Sequence, residues 1–188
     1  AIHPQDAEVF HNLGNTYANK GMIDDAISAY RKAVEINPNL AESHKSIAYL
    51  YKKKGQISES VSSFEKATTF HPKDTNLLFD LASLYESNGL QDNAILTYKK
   101  LLSIDPAHKG AKNSLAMLYN SKGVSLALQG KTDDAIAAYK DALQNKEDFK
   151  EAYNNLGAAY VDKEMIDDAI AADKKALEIS PNFGEVYN

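Results

Sequence analysis

Paired carboxylates are the residues in this chain best suited by type to do chemistry. Asp24–Asp25, Asp133–Asp134 and Asp167–Asp168 stand as adjacent pairs, and Asp92 stands alone. Neighbouring carboxylates can hold a divalent cation or divide the roles of general acid and general base. Five histidines, at 3, 11, 44, 71 and 108, could add imidazole ligands. The spacing argues against both. No His-x-x-x-His pair, glycine-rich phosphate loop or cysteine nucleophile accompanies the acids. Each acidic position opens the second helix of a recurring pattern, where Asp caps free N–H groups and favours the positive end of the helix dipole. Ser58 takes that place in the second copy. His3, His71 and His108 fall between helices, His11 lies on a first helix, and His44 takes a core-facing column. These side chains are therefore expected to be structural: no catalytic residue, metal or cofactor.

Charge and hydropathy exclude other classes. The net charge is −5 and no basic stripe is present, so no nucleic-acid partner is expected. No apolar run approaches the roughly 18–20 residues that cross a bilayer, so no membrane insertion is expected either. The opening AIHPQDAEVF has neither the positive flank nor the apolar stretch of a secretory signal. The absence of cysteine rules out disulfides and thiolate metal sites. A soluble, cytoplasmic chain is the expectation.

The elements that place these residues repeat. NKGMIDDAISAYRKAVEINPN, from Asn19, returns as DKEMIDDAIAADKKALEISPN, from Asp162, 143 residues later. Pro4, Pro38, Pro72 and Pro106 are 34 apart, and 143 is four such periods plus seven. Aligned on the prolines, the columns agree. A small residue recurs at Gly14, Ala48, Ala82 and Gly157, and tyrosine at Tyr17, Tyr51, Tyr85 and Tyr160. A turn glycine stands at Gly21, Gly55 and Gly89, with Glu164 in the last copy. A second-helix aromatic stands at Tyr30, Phe64 and Tyr98, replaced at the end by Asp173. Spacings of three and four mark two amphipathic helices per copy. The small residue permits close helix approach, and proline stops the second helix.

These columns resemble the tetratricopeptide repeat (TPR) family, whose pattern runs W-x2-L-G-x2-Y…A-x3-F…P. The resemblance implies an all-α fold, a right-handed TPR superhelix of antiparallel helix pairs. The expected organisation is one array over 1–188: the tail of a preceding repeat at 1–6, repeats at 7–40, 41–74 and 75–108, an elongated repeat at 109–149, a repeat at 150–183, and the start of another at 184–188. The seven extra residues lie in the fourth copy, where 109–123 and 116–130 both read as a first helix. Seven residues turn a helix within about 20° of two full turns, so the buried face is kept. One long helix over about 109–129 is expected. Neither end carries an atypical polar cap, as if the chain were cut from a longer array, so self-association through uncapped ends is expected.

The resemblance also implies function: a protein–protein interaction module that holds a peptide or protein segment in a concave groove lined by the first helices. The groove residues expected are Asn12, Asn15, Lys45, Tyr49, Lys52, Lys53, Asn76, Phe79 and Asn155. Among them, Tyr49 and Phe79 are expected to face solvent as apolar anchors, with the lysines selecting carboxylates on the partner. The carboxylate clamp of chaperone-binding relatives is not matched, because its places hold His11 and Asn15, then Ser46, then Asn76 and Asp80. HNLGNTY and YNNLGAAY resemble the TPR arm of O-GlcNAc transferases and bacterial TPR scaffolds. The asparagine ladder of that arm reads Asn12, Ser46, Asp80, Ser121 and Asn155 here. A substrate-recognition arm of a larger glycosyltransferase and a self-assembling scaffold are the alternative expectations.

Overall fold

A computed structural model describes residues 6–180. The tail expected at 1–6 is described only at Asp6, and the fragment expected at 184–188, together with His3, Pro4 and Pro181, lies outside the described residues. Ten α-helices follow one another: α1 (Ala7–Asn19), α2 (Ile23–Ile36), α3 (Ala41–Lys53), α4 (Ile57–Phe70), α5 (Thr75–Ser87), α6 (Gln91–Ile104), α7 (Lys109–Leu128), α8 (Thr132–Asn145), α9 (Lys150–Asp162) and α10 (Ile166–Ile179). No strand occurs among the described residues. The chain divides into two compact units, Ala1–Asp105 and Pro106–Asn188. In unit 1, α1 packs on α2, α3 on α4 and α5 on α6; in unit 2, α7 packs on α8 and α9 on α10.

Each pair is closed by the same turn. After α1, the Gly21 N–H reaches the Ala18 carbonyl and the Met22 N–H reaches the Tyr17 carbonyl, the double bond of a Schellman motif. That motif needs a left-handed residue, and Gly21 supplies it at φ 77°. Gly55, Gly89 and Gly130 do the same, but the last copy uses Glu164 at φ 58°. Helices α2, α4 and α6 end just before a proline, whereas α8 ends at Asn145 with none following. Asn37, His71 and Asp105 precede prolines and lie outside the helical region, at φ −128°, −123° and −124°.

Helix α7 runs unbroken for 20 residues, against 13 for α1, and ends at Leu128. The elongated helix read from the sequence is therefore observed. Its two overlapping registers are also resolved. A Cβ on Gly123 would lie 2.5 Å from the Tyr139 ring, as one on Gly14 would lie 2.6 Å from the Tyr30 ring. The closing turn comes at Gly130, where the Lys131 N–H bonds the Leu126 carbonyl. So α8 pairs with the second register.

Neighbouring pairs are stitched through one tyrosine column. Arg31 donates to the Tyr51 hydroxyl and lies 5.7 Å above its ring. One repeat on, the Tyr85 hydroxyl donates to Glu65 at 2.6 Å. In unit 2, Lys140 sits 5.5 Å over the Tyr160 ring. These seams lie over apolar clusters: Ala26, Ile27, Tyr30, Ile47 and Tyr51 in unit 1, and Ile136, Tyr139, Leu156 and Tyr160 among others in unit 2.

The aspartates are corrected by the structure. The N-caps of the second helices are Met22, Gln56, Leu90, Lys131 and Met165, and none makes a side-chain cap bond. The acids lie two or three residues further in, within the first turn, where the dipole favours them without a capping bond. Side-chain caps stand on first helices: Asp6 on α1, Asp74 on α5 and His108 on α7. Asp24 and Asp133 instead pair with the lysine closing the next first helix, Lys54 at 2.5 Å and Lys163 at 3.0 Å. Both aspartates are about four-fifths exposed, so each pair contributes at most about 1 kcal/mol.

Three stability outcomes follow from these features. Gly123→Ala drives a methyl into a buried tyrosine ring and should cost about 1–3 kcal/mol in urea unfolding. Gly157→Ala meets only the exposed Asp173 carboxylate, which can swing into water. Its helix-propensity gain of about 1 kcal/mol should leave it neutral or stabilising. Glu164→Gly relieves a left-handed backbone and should raise stability by about 1 kcal/mol, read as a higher melting temperature.

Candidate functional site

The first helices of unit 1 carry polar side chains that bond from helix to helix. His11 Nδ1 of α1 lies 2.8 Å from the Ser43 hydroxyl of α3. The Tyr49 hydroxyl of α3 donates to the Asp80 carboxylate of α5. Unit 2 repeats the device: the Asn155 amide of α9 donates to the Asn120 carbonyl oxygen of α7 at 2.9 Å. Ser43 is fully buried, so its bond with His11 lies within the packing, whereas the bond of exposed Tyr49 to Asp80 lies on the side left to solvent.

The structure places the expected site residues unequally. Tyr49 is 40% exposed, with its ring edge-on to Phe64 at 5.2 Å and its hydroxyl bound by Asp80. Asn76 is exposed on α5, Lys52 and Lys53 are exposed on α3, and Lys45 is half-buried there. The Tyr49–Asp80 bond joins α3 to α5, and Asn76 lies one turn before Asp80 on α5. Asn12 is exposed on α1, whereas the Asn15 carbonyl oxygen already accepts the Tyr30 hydroxyl at 2.6 Å. Asn155 lies in unit 2, engaged by Asn120.

Phe79 departs from expectation. It is half-buried, its ring 5.8 Å from the fully buried Tyr98, so it packs into its own helix pair rather than standing in solvent. Helical period alone puts it on the groove side; the large second-helix aromatic beneath draws it inward. Two features were missed from the sequence. Asp80 serves as a structural acceptor in the face. On α7, Met117, Val124 and Leu128 are 53%, 38% and 85% exposed on one side of the helix, an apolar stripe in unit 2. Its i, i+7, i+11 spacing was legible opposite the buried face that both registers share.

The surroundings of Tyr49 are acidic. Burial raises its phenol above the ordinary tyrosine range, and the hydrogen bond and charge of Asp80, then Asp74 and Glu42, raise it further. Tyr85 is pushed up to about 12, first by burial and then by Glu65. Lysines and carboxylates therefore share the α3–α5 face, and a ligand there meets both signs of charge. No group of three or more His, Cys, Asp or Glu side chains able to hold a metal occurs among the described residues. Among these residues, too, no helix is long and apolar enough to cross a membrane.

Paired antiparallel helices joined by Schellman turns, with bonded first-helix faces, define an α-helical repeat protein of the interaction-module class. Profiles described as "Tetratricopeptide repeat" match residues 7–40, 29–61, 75–108 and 150–183, and one described as "TPR repeat" matches 123–164. The chain belongs to the tetratricopeptide repeat family. Comparison with curated protein sequences returns no match. Among solved structures, a MamA protein is 25% identical over 97% of this chain and 96% of that one, with TM-score 0.58. YrrB, described as a TPR protein with an unusual peptide-binding site, is 21% identical over 95% and 89%, with TM-score 0.60. A MamA segment from Desulfovibrio magneticus RS-1 is 15% identical over 97% and 99%, with TM-score 0.55. At these lower identities the likeness is one of fold.

Three outcomes test the face. Phe79→Ala should cost about 1–2 kcal/mol of stability, the scale of a half-buried aromatic, while Lys52→Glu should stay within about 0.5 kcal/mol of the parent. Tyr49, with its folded-state titration raised, adds stability that is present below pH 10 and lost as pH climbs past it. Asp80→Asn should move the Tyr49 titration down toward the ordinary range in 13C-tyrosine NMR, and leave Tyr85 at about 12.

Proposed function

We propose that the chain is a non-catalytic interaction module whose first-helix face on α3 and α5 holds a peptide or protein segment of its partner. The family and the structural neighbours support an interaction module and do not favour the enzyme-arm alternative. The observation that carries the location is Tyr49, a large aromatic left 40% exposed yet held in one orientation by Phe64 and Asp80. A rigid, half-open aromatic offers contact area at small entropic cost, the profile of an interface anchor. Asn76 supplies an amide that can pair with a peptide backbone, and Asn12 a further one on α1. Lys45, Lys52 and Lys53 attract carboxylates, while Asp80 accepts a donor or a basic side chain; Phe79 supports the floor. The likeness to YrrB, which is described as having a peptide-binding site, agrees with this use of the fold.

Peptides selected from a random display library against the immobilised chain give the test. The tightest should perturb the amide resonances of Tyr49, Asn76 and Lys53, and Tyr49→Ala should weaken them by about 1–3 kcal/mol. Lys52→Glu should act through association rate and salt dependence. Selected peptides that leave these resonances unmoved would place the binding face elsewhere.

A further inference from the structure

Unit 1 holds a second concavity away from the groove face. A cleft of about 330 Å³ lies between α2, α3 and α4. Arg31 of α2 and Lys66 of α4 line it, and neither makes an ion pair among the described residues. The Arg31 guanidinium is held by the Tyr51 hydroxyl and ring, which uses one of its five donors and leaves the others to a ligand. The carboxylate lining the cleft is Glu59. The other second helices carry Asp24, Asp92, Asp133 or Asp167 where α4 carries Ser58, so this cleft lacks the acid that the pattern elsewhere provides. In a chain of net charge −5 its lining bears a net positive charge.

The interior agrees. His44 lines the cleft at 7% exposure, its Nε2 2.9 Å from the Pro38 carbonyl. Burial lowers its titration, the Pro38 bond raises it, and the charge of Lys66 lowers it again, so the imidazole already sits in a positive field. Val34 and Ile47 give the cleft apolar walls, suited to methylenes rather than to a bare hydrated ion.

We infer that this cleft binds a glutamate or aspartate side chain of an acidic peptide segment, its carboxylate between Arg31 and Lys66 and its stem against Val34 and Ile47. Paired cations with spare donors recognise carboxylate by charge-assisted hydrogen bonds. The site is separate from the groove on α3 and α5, so either can fail without the other.

The probes are the blocked tetrapeptides Leu-Glu-Glu-Leu and Leu-Gln-Gln-Leu, and inorganic phosphate, each titrated into the 15N-labelled chain. The glutamate peptide should shift Arg31, Ser62 and Lys66 and bind about tenfold tighter than its glutamine counterpart. Lys66→Gln should weaken it about fivefold. Ser62→Asp, which puts an acid on the exposed rim, should abolish the shifts while melting stays unchanged. Equal binding of the glutamine peptide, or shifts centred on Tyr49 and Asn76, would overturn the assignment. So would phosphate saturating the same resonances as tightly as the peptide, since the cleft would then be a small-anion site.

Discussion

The contact between bare backbone and an aromatic ring is what the rest of this structure depends on. At Gly14 and Gly123 no Cβ could stand without entering the ring of Tyr30 or Tyr139. That proximity sets the distance between the two helices of a pair and turns the second-helix tyrosine into the pair's core. Fully buried Ala48 and Ala82 play the small part beside fully buried Phe64 and Tyr98. Where the aromatic is lost, at Asp173, the helices stay close but less is buried: α10 buries only Ala169 and Ala172, and Ile166, Ile170 and Leu177 are about half exposed. The last helix is thus the least anchored described element of unit 2.

Much of the fold was readable because repeats multiply weak signals. A single glycine or proline means little, but one recurring every 34 residues fixes the turn, the stop and the pairing at once. The long α7 was readable for a simpler reason: seven residues nearly complete two turns, so its buried stripe survives the insertion. Which of its two registers meets α8 was not readable, because each offered a plausible glycine. Only the ring of Tyr139 against Gly123 decides it.

The candidate site was less legible, and the failures share a cause. Periodicity gives a residue's side of the helix but not the length of reach of whatever lies beneath. Phe79 is on the groove side by count, yet Tyr98 gives it a place to pack. The aspartates open the second helices by count, yet the caps fall two or three residues earlier, on Met22, Leu90 and their equivalents. Cross-helix bonds such as Tyr49 to Asp80 join positions 31 apart and have no local signature at all.

The tyrosine at each seam has a wider consequence. Its hydroxyl can donate or accept, and its ring welcomes a cation, so it meets Arg31, Glu65 and Lys140 in turn. Such a joint is indifferent to the sign of what it joins. Gene duplication, unequal crossing-over or the swapping of one segment for another would therefore produce workable junctions without co-adapted mutations. Growth of the chain by copying itself, with the copies then free to diverge on their outer surfaces, is the evolutionary path that this one phenol keeps open.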